Sequence, residues 1–180
     1  MRRRGQPAAP PPLDPEQARR AAYTLALRWL SARELSAASI ASRLADRGFE
    51  RPLIEGVVAR LAEHRAVDDT RAVRACARTL VVVKLRGRQR AKRELEAMGF
   101  GSELVRNTLD ELLNDTDELA LAGRVLASRM QGRHAISDAA MYRRLYGALF
   151  RRGFSAAIVR EALKPFWKRG RTPDEPDADE

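Results

Sequence analysis

The hexapeptide LADRGF at residues 44–49 recurs in altered form as LEAMGF at 95–100 and as LFRRGF at 149–154. Each copy keeps a leucine at its first position and a Gly-Phe pair at its end, and the copies lie 51 and 54 residues apart. An aliphatic residue stands five positions after each Phe: Ile54, Val105 and Val159. Three copies with apolar flanks in register are typical of an internal structural repeat.

The Gly-Phe pair predicts a sharp turn between two helices. A glycine just past the end of a helix adopts the left-handed conformation, and the next residue, if apolar, folds back onto the last turn as in a Schellman motif. We therefore interpret the three pairs as structural anchors of the core, in preference to base-stacking platforms. These anchors are Gly48, Phe49, Gly99, Phe100, Gly153 and Phe154.

The composition favours helices throughout the chain. Charged residues make up 32% of the 180 residues and aromatic residues only 6%, whereas a β-sandwich or barrel needs more aromatic and β-branched residues. Apolar positions at helical spacing predict nine helices, at about 15–32, 37–47, 51–64, 69–85, 88–98, 102–113, 115–130, 138–152 and 155–168. The pattern places Val83 and Leu119 on buried faces. Asp14, with Gln17, and Asp115 or Thr116 are the predicted N-caps of the first and seventh helices.

These helices predict an all-α fold, an elongated array of three tandem three-helix repeats. The repeats are predicted at residues 14–67, 68–114 and 115–170. Residues 1–13 are rich in Arg and Pro, and residues 171–180 are acidic. Segments of such composition bury too little apolar surface to fold, so both are predicted to be disordered.

The positive charge is concentrated in the predicted folded region. The net charge of the chain is +10, but residues 171–180 carry −4, residues 1–14 carry +2 and residues 15–170 carry +12. Such an excess indicates a polyanionic or acidic partner. The alternative is a basic surface that serves solubility alone.

The densest basic cluster is KLRGRQRAKR at residues 84–93, with six positive residues in ten and no acid. Because like charges this close repel one another, we predict that an anionic partner relieves them. Further basic residues surround the first and third Gly-Phe pairs. The candidate binding residues are Arg43, Arg47, Lys84, Arg86, Arg88, Arg90, Lys92, Arg93, Arg143, Arg144, Arg151, Arg152, Lys164, Lys168 and Arg169.

Motifs of catalysis are missing from the sequence. No Gly precedes a Lys, so there is no phosphate-binding loop, and His64, His134 and Cys76 are isolated from one another along the chain. We therefore predict no enzymatic activity, no catalytic residue, no metal and no cofactor. The single cysteine and the short apolar runs predict a soluble cytoplasmic protein without membrane contact.

Over residues 18–167 the sequence resembles the RecX regulatory proteins, modulators of the RecA recombinase. The resemblance lies in ALRWLSARE at 26–34, the first hexapeptide, VDDTRA at 67–72, RGRQRAKREL at 86–95 and RRGFS at 151–155. It implies a monomer that lies in the groove of the RecA–DNA filament, contacts single- or double-stranded DNA, and inhibits ATP hydrolysis and strand exchange by RecA. The alternative is an autonomous DNA-binding helical-repeat protein.

Overall fold

The computed structural model describes residues 14–114, 116–132 and 135–167. Within these ranges the chain forms nine α-helices and no strand, which confirms the all-α prediction, and none of these helices is long and apolar enough to cross a membrane. The helices are α1 (Pro15–Ala32), α2 (Ala37–Ala45), α3 (Arg51–Glu63), α4 (Asp69–Arg78), α5 (Arg88–Ala97), α6 (Ser102–Asn114), α7 (Glu118–Met130), α8 (Ala139–Arg151) and α9 (Ala156–Leu163). The predictions for 1–13 and 171–180 lie outside the described residues.

All three Gly-Phe pairs form complete Schellman motifs, as predicted. Each glycine has a positive φ, between 84° and 91°. The Phe N–H donates to the carbonyl of the leucine that opens its hexapeptide, at 3.2 Å for Phe49, 3.3 Å for Phe100 and 3.4 Å for Phe154. The three leucines are fully buried, and so are Phe100 and Phe154, whereas Phe49 is half-buried. The repeat therefore records one recurring helix–turn–helix geometry.

Helix caps follow local chemistry, but the capping box predicted for α1 does not form and the predicted cap of α7 is wrong. The Asp14 side chain precedes α1 but accepts no cap hydrogen bond, so the predicted capping box is not formed. The helix begins at Pro15, whose fixed φ suits the first position of a helix. The cap of α7 is Asp117, which accepts from the N–H groups of Leu119 and Ala120 at 2.8 and 3.1 Å. Of the earlier candidates, Thr116 precedes this cap and Asp115 lies outside the described residues.

The predicted burial of Val83 and Leu119 is also wrong. A π-helical turn at Thr79–Val83 follows α4, and the Lys84 N–H donates to the Thr79 carbonyl, five residues back, at 2.9 Å. The wider turn changes the helical phase, so Leu80 and Val81 are buried and Val83 is 73% exposed. Leu119 lies in the first turn of α7 and stays 37% exposed.

Contacts between helices divide the described chain into two units, at residues 14–68 and 69–167. In the first unit α1, α2 and α3 all pack on one another. Its core contains Ala22, Ala26, Ile40, Leu44, Ile54, Val57 and Leu61, with Trp29 and Phe49 at the edge.

The second unit contains six helices around one continuous core. Two triplets, α4–α5–α6 and α7–α8–α9, each repeat the packing of the first unit, with the first and second helices both resting on the third. Leu95 and Phe100 of one triplet and Leu149 and Phe154 of the other belong to the same core. The three-helix grouping thus recurs, while the boundaries predicted for independent repeats stay a prediction.

Replacement of Phe49 by alanine is expected to destabilise the first unit by about 2 kcal/mol, below the usual cost for a fully buried Phe, because part of the ring faces solvent. Thermal melting followed by circular dichroism measures this loss. Leu27→Ala on α1, where Leu27 is already 40% exposed, is the control. If Phe49→Ala leaves the melting temperature unchanged but abolishes nucleic-acid binding, Phe49 contacts the nucleic acid and is not a core anchor.

Asp138 is expected to make the stability of the second unit depend on pH. The Met141 N–H donates to this N-cap carboxylate at 2.7 Å and the Ser137 hydroxyl at 2.8 Å, and these bonds hold the pKa of Asp138 below its ordinary value. Its stabilisation is therefore full above the ordinary pKa of about 3.9 and is lost as the pH falls through the lower folded value. We expect Asp138→Ala to lower the Tm at pH 7, and the difference to shrink in melts below pH 3.9.

Candidate anion-binding interface

Two glycines bring the two triplets of the second unit into backbone contact. The Gly87 N–H donates to the Arg152 carbonyl at 2.9 Å, and the Gln89 N–H donates to the Gly153 carbonyl at 3.1 Å. A Cβ atom on Gly87 would lie 2.4 Å from the carbonyl carbon of Gly153, and one on Gly153 would lie 2.3 Å from the Arg90 nitrogen. Only glycine fits this contact, which we call the glycine seam.

The glycine seam places basic residues from distant parts of the sequence side by side. Arg90 Nη1 donates to the Arg151 carbonyl at 3.2 Å, and Arg152 Nη1 donates to the Lys84 carbonyl at 2.9 Å and to the Leu85 carbonyl at 3.4 Å. Basic stretches that stand more than 60 residues apart therefore meet at one point. The predicted cluster at 84–93 and the predicted pair at 151–152 belong to a single surface.

One carboxylate, that of Glu94, serves two of these arginines. It lies 2.6 Å from Arg90 Nε and 3.3 Å from Arg86 Nε. Arg86 Nε is buried and donates a hydrogen bond to no acceptor in the described part of the chain. A buried donor left in this state costs about 1–3 kcal/mol, so one acid compensates these two charges only in part.

Arg152 lies near three other arginines. Its partial burial and the nearby guanidinium groups of Arg86, Arg129 and Arg90 all lower the pKa of Arg152. An arginine nevertheless stays charged near neutral pH. We name the group Arg86, Arg90, Arg129 and Arg152 the arginine cluster; its shared positive field favours an anion that bridges several guanidinium groups.

Two other residues of the 84–93 stretch also have acidic partners, and those of Arg88 are distant in the sequence. Arg88 pairs with Asp110 on α6, and its N–H donates to Glu118 at 3.1 Å. Lys92 lies 3.9 Å from Glu96. Lys84 and Arg93 are exposed. The stretch itself contains no acid, but the fold places Asp110, Glu118 and Glu96 beside it, so part of its charge is compensated within the protein.

A cavity of about 490 Å³ lies beside the arginine cluster, between α7 and α8. Arg129 and Arg144 provide its charge, and Met141, Leu145 and Ala148 form an apolar floor. Arg129 is absent from the predicted set because it is an isolated basic residue in the sequence, and only the folding of α7 places it beside Arg152. The two arginines make the cavity suited to an anionic group.

The remaining predicted residues are distributed over both units. In the first unit the Arg43 guanidinium lies 5.7 Å from the centre of the Trp29 ring, and Arg47 is exposed. In the second unit Arg143, Arg144 and Arg151 are exposed, and Lys164 lies 3.5 Å from Glu161. The predicted residues Lys168 and Arg169 lie outside the described residues.

Residues with catalytic or metal-binding chemistry are scattered. Within residues 14–114, 116–132 and 135–167 no three His, Cys, Asp or Glu side chains converge as metal ligands. His64 Nδ1 shares a hydrogen bond of 2.8 Å with the Tyr23 hydroxyl on the surface of the first unit. Cys76 is partly buried against the core of the second unit. The prediction for His134 lies outside the part of the chain that the structure describes.

Comparison with known proteins gives consistent matches along the chain. Residues 22–61 match the family model of the first three-helix domain of RecX, and residues 116–163 match that of the third. The regulatory protein RecX of Treponema pallidum is 33% identical over 145 residues, which cover 79% of this chain and 83% of that protein. RecX of Chlorobaculum tepidum is 29% identical over 139 residues, 77% of this chain and 84% of that one.

Solved structures share the fold. A crystal structure of RecX from Lactobacillus salivarius superimposes with a TM-score of 0.69 and 18% identity, over 83% of this chain and 96% of that one. A second crystal structure of a regulatory protein RecX gives a TM-score of 0.67 and 20% identity, over 83% and 73% of the two chains.

The fold, the recurring three-helix grouping and these relatives define a class, that of all-helical regulatory proteins built from three-helix domains. Within that class the 33% identity over most of both chains decides the family. The chain belongs to the RecX family, and the resemblance noted in the sequence is confirmed.

Proposed function

We propose that this protein is a non-enzymatic regulator that binds the RecA–DNA filament and inhibits its ATP hydrolysis and strand exchange. The observation that carries the proposal is the arginine cluster, in which the guanidinium groups of Arg86, Arg90 and Arg129 lie near that of Arg152. One carboxylate, that of Glu94, is shared by Arg86 and Arg90. Membership in a family whose curated members are named regulatory proteins supports the same conclusion.

The arginine cluster suits the phosphates of a filament-bound strand. Guanidinium groups bind phosphate oxygens through paired, charge-assisted hydrogen bonds, and a bound phosphate also releases counterions. The fold fixes the guanidinium groups of Arg90 and Arg152 through backbone carbonyls before any ligand arrives. Less side-chain freedom is therefore lost on binding, which favours affinity.

Regulation then needs no chemistry by this chain. A protein that binds one conformation of a filament more tightly than another shifts the filament toward that conformation by the difference in binding free energy. A filament held in a state unfit for ATP hydrolysis loses ATPase activity. In this proposal the protein acts as a monomer in the cytoplasm, where it meets RecA on DNA.

The decisive experiment measures ATP hydrolysis by RecA on single-stranded DNA while this protein is added. We expect the rate to fall with increasing protein and to approach a low plateau once the filament is saturated. ATP hydrolysis that stays unchanged, together with no co-sedimentation with RecA filaments, would contradict the proposal. Inhibition that excess DNA removes in full would instead indicate competition for DNA.

The second candidate function is autonomous DNA binding. It is favoured by Arg143 and Arg151, which are exposed and form no ion pair with a described carboxylate. A salt titration on bare single-stranded DNA separates the candidates, because an autonomous binder is tight without RecA. Its log–log slope falls by about 0.7 for each phosphate contacted.

A further inference from the structure

A row of aromatic rings follows one face of α8 at four-residue intervals. Tyr142 and Tyr146 have ring centres 6.2 Å apart and planes inclined by 30°, and Tyr146 and Phe150 have centres 6.2 Å apart and planes inclined by 16°. Trp167 packs edge-on against Tyr142 at 4.9 Å. We call Tyr142, Tyr146 and Phe150 the aromatic ladder.

The aromatic ladder begins in the core and ends in solvent. Tyr142 is 9% exposed, Tyr146 is half-buried and Phe150 is 56% exposed. The nearly parallel ring of Tyr146 lies beside Phe150, and the rest of the Phe150 side chain faces solvent. Hydration of so much aromatic surface is unfavourable, and a planar apolar ligand would relieve it.

An arginine stripe runs beside the aromatic ladder. Arg143, Gly147 and Arg151 occupy the next row of the same helix, also at four-residue intervals. Arg151 Nη1 lies 3.0 Å from the position that a Cβ atom on Gly147 would take, so this guanidinium folds back along the helix. No carboxylate in the described ranges pairs with Arg143 or Arg151, and their charge is available to a ligand.

We propose that this face of α8 binds single-stranded nucleic acid, with a base stacked on Phe150 and the backbone phosphates on Arg151 and Arg143. An aromatic platform beside cationic side chains is the combination that single-stranded nucleic acid requires, since every base has a flat apolar face and every nucleotide a negative charge. Bases in a duplex already stack on one another, so the ladder favours an unpaired strand.

This inference deepens the second candidate function, autonomous DNA binding, because it assigns direct contact with bases to Phe150 beside Arg143 and Arg151. It is tested on bare DNA in the absence of RecA. Its failure therefore leaves the ATPase result unaffected, and loss of RecA inhibition leaves this binding test intact.

The probe is a short fluorescein-labelled oligothymidylate, compared with an abasic oligonucleotide of equal length and charge. From the usual strength of base–aromatic stacking, we expect Phe150→Ala to weaken binding of the oligothymidylate about tenfold in fluorescence anisotropy and to leave the weaker binding of the abasic strand unchanged. Arg143→Gln with Arg151→Gln is expected to weaken both complexes, since both strands keep their phosphates.

Two controls separate stacking from general loss of apolar surface. Leu119→Ala removes another exposed apolar side chain of the same unit and is expected to bind like the unaltered protein. Phe150→Tyr keeps an aromatic ring at this position and is expected to bind the oligothymidylate as the unaltered protein does. The inference is overturned if the unaltered protein does not distinguish the two strands, if Phe150→Ala weakens both complexes equally, or if it weakens neither.

Discussion

Replacement of Gly87 by alanine is expected to destabilise the second unit by about 3 kcal/mol, because overpacking and the loss of two backbone hydrogen bonds add together. The new methyl group would lie 2.4 Å from the Gly153 carbon and the Phe154 nitrogen. These are backbone atoms within a turn, so they cannot move aside as a flexible side chain would. Urea denaturation followed by circular dichroism measures the loss.

Gly123→Ala is the matched control for this prediction. Gly123 lies inside α7 of the same unit, and a Cβ atom there meets nothing within 4 Å. Alanine in a helix interior is favoured over glycine by about 0.5–1 kcal/mol, so this variant should be more stable than the unaltered protein. Equal stability of the Gly87 and Gly123 variants would show that the glycine seam contributes nothing to folding.

Charge reversal of Arg129 and Arg144 is expected to weaken binding to the RecA–DNA filament about 100-fold, if each residue makes one charge-assisted contact. Both residues line the cavity beside the arginine cluster and are exposed. If both contacts are to phosphates of a single strand, the slope of log affinity against log salt should become less negative by about 1.4. Anisotropy of labelled filaments at several salt concentrations measures both quantities.

A pair of charge reversals outside the cavity lining serves as the control. Arg124→Glu with Arg160→Glu changes the net charge of the same unit equally, at exposed positions that do not line the cavity. We expect this pair to alter the salt slope less than the cavity pair does. If both pairs lose affinity to the same extent, net charge alone governs binding and the cavity has no specific part in it.

Arg86 and Arg90 are poorer targets, although they stand in the densest basic stretch of the sequence. Glutamate at both positions would crowd three carboxylates around the site of Glu94, which now lies within ion-pair distance of both arginines. The glycine seam would then lose stability together with any loss of ligand. Weaker binding by that variant would not identify a contact.

The local part of the fold was predictable because its causes are local. The Gly-Phe turns depend on a backbone conformation favoured by glycine and on one nearby apolar residue, and all three form Schellman motifs. Most helix bounds were close for the same reason, but α4 ends at Arg78, before the π-helical turn, and α9 ends at Leu163. The cap of α7 was misplaced by one or two positions because Asp115, Thr116 and Asp117 all have side chains suited to capping.

Features that depend on distant partners could not be predicted in this way. The acidic partners of Arg88 and the position of Arg129 beside Arg152 follow from helix packing and not from spacing along the chain. The four-residue intervals of the aromatic ladder are visible in the sequence. That spacing places the rings on one face of a helix, but only the packing of Trp167 on Tyr142 shows which end is buried.

The π-helical turn at Thr79–Val83 acts as a phase shift in the chain. An α-helix advances about 100° per residue, so one additional residue in a turn rotates everything that follows by roughly that angle. The segment from Lys84 to Gly87, which follows this turn, therefore depends on that residue for its direction toward the Gly153 turn. Deletion of one residue between 79 and 83 would convert the π-helical turn into regular α-helix, but Gly87 would then point away from the Gly153 turn. Natural changes in loop length should therefore be tolerated at other positions before they are tolerated in this turn.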